Sequence, residues 1–243
     1  MLKLSFKTLE FKLKGKELVV TLLKNFQTSL NIEQISGKVT LLDKNSIEIS
    51  SKNDNKTELL FMGLLSTSFE GLINKINGNK TIYVHRNSGI PLIGNPSFGI
   101  VYRNTSLIEV KPSTSCNLNC IYCSVGEGKS SQKNDFVVEK DYLMEELEKV
   151  IKFVNEPVEI HIGVHGEPFL YADLIPLIED INKNKMVKTV SLDTNFTLVS
   201  KSIINQLSQF NKLRINISLD SMDEEIANTM AGTKYNLKNF EFQ

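Results

Sequence analysis

The chain has 243 residues, 41% hydrophobic and 23% charged, which suits a globular protein with one large domain or a small domain beside a medium one. Lys plus Arg and Asp plus Glu number 28 each, so net charge gives no reason to expect a nucleic-acid or membrane partner. No apolar run nears the roughly 18 residues of a membrane span, and residues 1–7 alternate polar and apolar where a signal peptide would be continuously apolar, so a cytoplasmic location is expected.

Residues 1–88 read as a small α+β domain. Leu2, Leu4, Phe6 and then Leu9, Phe11, Leu13 alternate with polar residues, as half-buried strands do. Val39 to Leu42, a turn at Asp43-Lys44-Asn45, and Ile47 to Ile49 predict a hairpin. A short helix is expected over Phe69 to Ile76, ended by Asn77-Gly78. Five lysines stand against two glutamates in residues 3–17, a solvated strand face more readily than an RNA-binding one. Gly89, Pro91, Gly94, Pro96 and Gly99 punctuate a connector over 89–105.

From residue 106 the pattern changes. Strands are expected at 106–110, 158–164, 187–192 and 213–219, with helices at 139–154, 172–183, 200–209 and 223–230. The later strands recur at the spacing of a βα unit, which predicts an α/β fold with a parallel sheet or barrel. Leu143, Leu147, Val150, Ile151 and Val154 share one helical face, as do Leu174, Ile175, Leu177, Ile178 and Ile181. Pro176 fits its helix only in the first turn. Each later strand has one polar side: Glu159, His161, Gly163 and His165; Thr189, Ser191 and Asp193; Arg214, Asn216, Ser218 and Asp220. Parallel strands buried on both sides read as continuous apolar runs, so one face is expected to line a wet cavity. A solvent-facing antiparallel sheet would alternate the same way, but the intervening amphipathic helices favour parallel crossovers.

All three cysteines fall within eight residues, as Cys116-Asn117-Leu118-Asn119-Cys120-Ile121-Tyr122-Cys123. An odd, clustered set is no disulfide framework; thiolates so placed suit an iron–sulfur cluster. With no fourth cysteine, one iron stays open to a small-molecule ligand. A structural zinc site is the alternative, with His161 or His165 completing the ligands, although the spacing fits zinc patterns poorly.

CxxxCxxC with an aromatic residue before the last cysteine resembles the motif of the radical S-adenosylmethionine (SAM) superfamily. The resemblance covers 106–243. It implies a [4Fe–4S] cluster on Cys116, Cys120 and Cys123 and SAM on the open iron. Reductive cleavage would then give methionine and a 5′-deoxyadenosyl radical that abstracts hydrogen from a substrate this sequence does not identify. It further implies an external one-electron donor of flavodoxin or ferredoxin type, and Tyr122 near the adenine. His165-Gly166-Glu167-Pro168 resembles the family's GGEP segment, with His165 for the first glycine; there the backbone binds the SAM amino group, so Gly166 and Glu167 are site candidates. Asp193-Thr194-Asn195 resembles the TNG segment, with Phe196 for the glycine, and equally reads as a strand-to-helix turn; Asn195 is the candidate. Ser218, in Ile217-Ser218-Leu219-Asp220, would contact the SAM carboxylate, with Asn216 and Asp193 as neighbours. Several relatives place an arginine about a turn later; residues 228–232 contain none. For His161 and His165, cavity lining is the expected role. Arg214 reads as a ligand for a substrate carboxylate or phosphate, or as half of an internal ion pair. The stretch from Gly89 to Cys123, with Gly89-Ile90-Pro91-Leu92-Ile93-Gly94, resembles uncharacterised archaeal members.

The family core is a partial barrel of about six βα units, of which this sequence supplies the first four. Residues 235–243 read like the start of another helix. The expectation is therefore an incomplete barrel, completed by further chain or by a partner, with an inactive cluster-binding fragment as the alternative to an enzyme.

Overall fold

The computed structural model describes residues 1–126, 128, 131, 133–163, 165–235 and 237. The expected helix start at 235–243 falls almost wholly outside them. The chain forms two compact units, Met1–Ile82 and Tyr83–Gln243.

The first unit holds two antiparallel sheets. One runs β1 (Leu2–Ser5), β6 (Ser46–Ile49), β5 (Val39–Leu41). The other runs β2 (Leu9–Lys14), β3 (Glu17–Leu22), β4 (Phe26–Asn31), β7 (Ile73–Asn74). The β5–β6 hairpin turns where expected, with the Asp43 carboxylate accepting from the Asn45 amide at 2.7 Å. The helix of this unit is not at 69–76. It is α1 (Asp54–Ser68), followed by a 3-10 turn over Phe69–Gly71 and then by β7. Asn53 caps α1 by accepting from the Lys56 amide. Downstream, the Asn74 and Asn77 side chains accept from the amides of Ile76 and Asn79, local turns that compete with a helix. Phe61 and Leu65 of α1 are buried, and Phe61 packs beside Phe6.

After β8 (Thr81–Val84), the second unit carries β9 (Gly99–Tyr102), β10 (Leu107–Lys111), β11 (Asp135–Val138), α2 (Lys140–Val154), β12 (Val158–Ile162), α3 (Leu174–Lys183), β13 (Val187–Thr194), α4 (Lys201–Leu207), β14 (Leu213–Ile217) and α5 (Glu224–Ala231). Its five-stranded sheet has the order β14-β13-β12-β10-β9. The pairs β10–β12, β12–β13 and β13–β14 are parallel. Only β9 runs antiparallel, at the edge beside β10, within the stretch read as a connector. Two expected strands are shorter than predicted: β12 stops before Gly163, whose φ is +130°, and β14 stops at Ile217. Val164, assigned to β12 from the sequence, lies outside the described residues. Pro176 falls in the first turn of α3.

The register explains the alternation. Ile108, Ile160, Val190 and Leu213 form one apolar rung across four strands, and Val110, Ile162, Leu192 and Ile215 another. Between them lies a polar rung of Glu109, His161, Ser191 and Arg214. The apolar side meets helices: α2 buries Leu143, Leu147, Val150 and Ile151, and α3 buries Leu174, Leu177, Ile178 and Ile181. Each such side chain contributes about 1.5–3 kcal/mol of apolar transfer. Among the described residues, no helix is long and apolar enough to cross a membrane.

Leu147→Ala should cost about 2–5 kcal/mol in urea unfolding, because the fully buried site cannot collapse around the loss. Glu148→Ala, one residue along on the exposed side of the same helix, should stay within about 0.5 kcal/mol.

Candidate functional site

Parallel strands all end at the same edge of their sheet, so the segments after β10, β12, β13 and β14 are brought together there. The first carries the cysteines. The segment's approach is pinned to β11, where the Thr114 amide donates to the Phe136 carbonyl and the Phe136 amide donates to Thr114 Oγ1 at 2.9 Å. Its far side is pinned to the end of α5, with the Asn119 amide on the Ala231 carbonyl and the Ile121 amide on the Met230 carbonyl. Gly232 makes that approach feasible: a Cβ there would lie 2.0 Å from the Asn119 carbonyl oxygen, and its φ of +60° closes the helix.

The second segment meets the cysteine segment backbone to backbone. The Glu167 amide donates to the Ser115 carbonyl at 2.7 Å, and a Cβ on Gly166 would sit 2.4 Å from that same oxygen. With φ at +69°, position 166 admits glycine for two separate reasons. The Glu167 side chain turns inward. Its Oε1 accepts from Thr194 Oγ1 at 2.7 Å and from the Phe169 amide, and its Oε2 accepts from the Asn195 amide at 2.8 Å. Burial pushes this carboxyl above the usual carboxylate range, against the pull of those three donors.

Asn195 is the hub of the third segment. Its Nδ2 donates to Asn117 Oδ1 at 2.9 Å, its Oδ1 accepts from Thr197 Oγ1 at 2.6 Å, and Asn117 Nδ2 donates to Thr197 Oγ1. Three side chains thus close a ring between the cysteine segment and the end of β13. Phe196, where glycine was expected by resemblance, does adopt a left-handed φ of +61°. Its ring is buried with Leu118, Val199, Ala227, Ala231 and Tyr235, and Cys116 and Cys120 pack against that cluster.

These segments enclose a cavity of about 290 Å³. Cys116, Cys120, Cys123, Tyr122, Gly166, Glu167, Asn195 and Ser218 all line it, together with Asp193, Asp220 and Tyr235. Burial pushes the Cys116 thiol up to about 12 and raises Cys120 also, whereas Cys123 is exposed. Tyr122, half exposed, donates to Asp220 at 2.8 Å; burial, and then that bond, raise its hydroxyl. Among the described residues, no three His, Cys, Asp or Glu side chains converge as ligands of one metal ion. Neither His161 nor His165 is among the residues lining the cavity. A cubane cluster asks for something else: each thiolate takes a different iron, so the ligands surround a space and do not meet at a point. Three thiols around one cavity meet that requirement, and soft thiolate is the donor it needs.

Outside the cavity wall, His161 is held from both sides. Its Nδ1 lies 2.7 Å from Ser191 Oγ and its Nε2 lies 3.0 Å from Asp193 Oδ2, while Asn216 Nδ2 donates to Asp193 Oδ1. The histidine is thereby a support for Asp193, which does reach the cavity. His165 is half-buried beside Gly166. Arg214 is exposed on the edge strand and makes no ion pair among the described residues. No motif or spacing in the sequence marks Asn117 or Tyr235. Asn117 lay in view between two cysteines, but nothing in its spacing distinguishes a structural amide from a solvated one.

The family model described as "Radical SAM superfamily" matches residues 110–241. An uncharacterised protein of Methanocaldococcus jannaschii is 35% identical over 241 residues, covering 94% of this chain and 54% of that protein. The GTP 3′,8-cyclase of Listeria monocytogenes serovar 1/2a is 30% identical over 115 residues, 47% of this chain and 33% of the enzyme. The chain therefore spans about half or less of the length of these relatives. Among solved structures, Streptococcus suis SuiB bound to S-adenosylmethionine is similar at 16% identity and a TM-score of 0.44, over 97% of this chain and 52% of that one.

Gly166→Ala should weaken the second unit by at least about 1–3 kcal/mol, since both the φ strain and the clash with Ser115 must be relieved by moving the cysteine segment. Gly126→Ala, at a similar φ of +59° but with its nearest neighbour a flexible lysine end at 3.6 Å, isolates the conformational part alone. The first variant should also bind less iron per chain after anaerobic reconstitution, and the second should not.

Proposed function

This chain is a member of the radical SAM superfamily, whose members are enzymes using a [4Fe–4S] cluster and S-adenosylmethionine, and we propose that it cleaves SAM reductively at the cavity described above. The observation that carries this reading is that the chain's only three cysteines line one cavity together with the segments ending β12, β13 and β14. When bound, the cluster supplies the single electron that breaks a SAM carbon–sulfur bond into methionine and a 5′-deoxyadenosyl radical, which then takes a hydrogen atom from the substrate.

The chain's own residues bind, orient and exclude water. Cys116, Cys120 and Cys123 would hold three irons and leave the fourth for SAM. The main chain at Gly166 and Glu167 would receive the amino group, in a position that the buried Glu167 side chain keeps fixed. Ser218 would take the carboxylate, Asn195 would frame the pocket beside it, and Tyr122 would lie against the adenine. In this reading the four parallel strands are the opening of a partial barrel, with Glu109, His161, Ser191 and Arg214 facing its interior. All three cysteines are committed to one cluster, so the electron would come from outside, from a one-electron donor of flavodoxin or ferredoxin type.

Anaerobic reconstitution should give a brown protein with about four irons and four sulfides per chain. Cys120→Ala and Cys123→Ala should each lose most of that content. Dithionite and SAM should then yield methionine and 5′-deoxyadenosine from the wild type. Ser218→Ala should weaken SAM binding about tenfold, the effect of one lost hydrogen bond to a charged group. A complete cluster that never produces 5′-deoxyadenosine would sink the proposal.

A further inference from the structure

Tyr235 stands apart from every motif in the sequence, yet it sits where the cavity segments meet. Its hydroxyl lies 2.6 Å from the Asn195 carbonyl oxygen and 2.9 Å from the Ser218 carbonyl oxygen. Carbonyls only accept, so one O–H is shared between two acceptors at the ends of β13 and β14. The ring is 5% exposed and packs into the same apolar cluster as Leu118 and Phe196, against which Cys116 and Cys120 rest. The Tyr235 amide donates to Asn228 Oδ1 at 2.6 Å, which ties the residue to α5. Gly232 turns the chain back toward the cysteine segment just beforehand. A phenolate here would face two carbonyl oxygens, and burial together with the Asp220 charge raises the hydroxyl to about 12, so the donor proton stays in place.

We infer that Tyr235 is a positioning residue: its shared hydroxyl proton sets the separation between the Asn195 and Ser218 segments, and with it the half of the cavity that receives SAM. The inference rests on the proposed SAM role of those two segments. The Ser218 amide already bonds the Thr194 carbonyl at 2.9 Å, so the two segments are also joined by backbone. Tyr235, itself a lining residue of the cavity, adds a side-chain joint, and unlike the backbone bond it can be removed by deleting a single oxygen.

The test uses the full chain, reconstituted anaerobically, as wild type, Tyr235→Phe and Phe196→Leu. Iron and sulfide content, SAM affinity by equilibrium dialysis, and the change in the electron paramagnetic resonance signal of the reduced cluster on adding SAM are measured for each. Tyr235→Phe keeps the ring, so it should keep its iron and sulfide but bind SAM about tenfold more weakly, with a smaller SAM-induced change in the signal. Phe196→Leu loosens the same apolar floor while leaving the hydroxyl, and should bind SAM within about twofold of wild type. Equal SAM affinity in wild type and Tyr235→Phe would overturn the inference and leave the proposed function standing. So would an equal loss in both variants, which would make the floor and not the hydroxyl responsible, or a Tyr235→Phe chain that no longer holds a cluster. A wild-type chain that holds its cluster but takes up no SAM would overturn both readings together.

Discussion

The site depends on one close approach, where the backbone at Gly166 and Glu167 lies directly against the backbone at Thr114 and Ser115. The contact is made main chain to main chain, so its geometry is as stiff as the strands that deliver it. β10 and β12 are parallel neighbours in the sheet, and segments leaving their ends must diverge or touch. Here they touch because glycine removes the Cβ that would hold them apart. Glu167 converts this contact into a three-way joint. Its amide bonds the cysteine segment, and its carboxyl gathers Thr194 and Asn195 from the end of β13. A buried carboxyl left alone would be costly, but with three donors it becomes a rigid connector.

Much of the second unit could be read directly because its pattern repeats. The helical stripes of α2 and α3 and the period of two in β12, β13 and β14 come from the same rule, that one face meets apolar neighbours and the other does not. The register turns that rule into alternating apolar and polar rungs, with His161, Ser191, Asp193 and Asn216 joined across three strands. The cysteine motif was equally legible, since its spacing within one short segment needs no tertiary information. Bringing Gly166, Asn195 and Ser218 to one cavity did need the sheet order.

What could not be read has local physical causes. The β3–β4 hairpin turns through Leu23 and Lys24, both at positive φ, where glycine or asparagine would have announced the turn. α1 leaves Leu59 and Met62 exposed, so its apolar residues do not trace a single buried stripe, and the helix signal was displaced onto the following residues. β9 hides among glycines and prolines because it is short, and its outer side bonds only the irregular Leu92 and Gly94 backbone, which carries no strand pattern. Tyr235 was invisible for a different reason. A lone aromatic residue carries no spacing, and its importance comes from two carbonyls supplied by strands far from it in sequence.

The cavity's charge distribution follows from the same economy of contacts. Glu167, Asp193 and Asp220 line it, and among the described residues no lysine or arginine does. Three thiolates added to three carboxylates would repel strongly at this range. The structure avoids that: each carboxylate is engaged by donors, Glu167 by Thr194 and two amides, Asp193 by Asn216 and His161, Asp220 by Tyr122. The Cys116 thiol, pushed further up by burial, is protonated near neutral pH. Taking up a metal group at such a site therefore requires proton release, and the positive charge of the metal is what makes the thiolate form favourable there. The carboxylates of the wall already have their donors, so they need not rearrange as that exchange occurs. The carboxylates that remain in the wall then favour a ligand bearing positive charge, which a sulfonium and an ammonium group both supply.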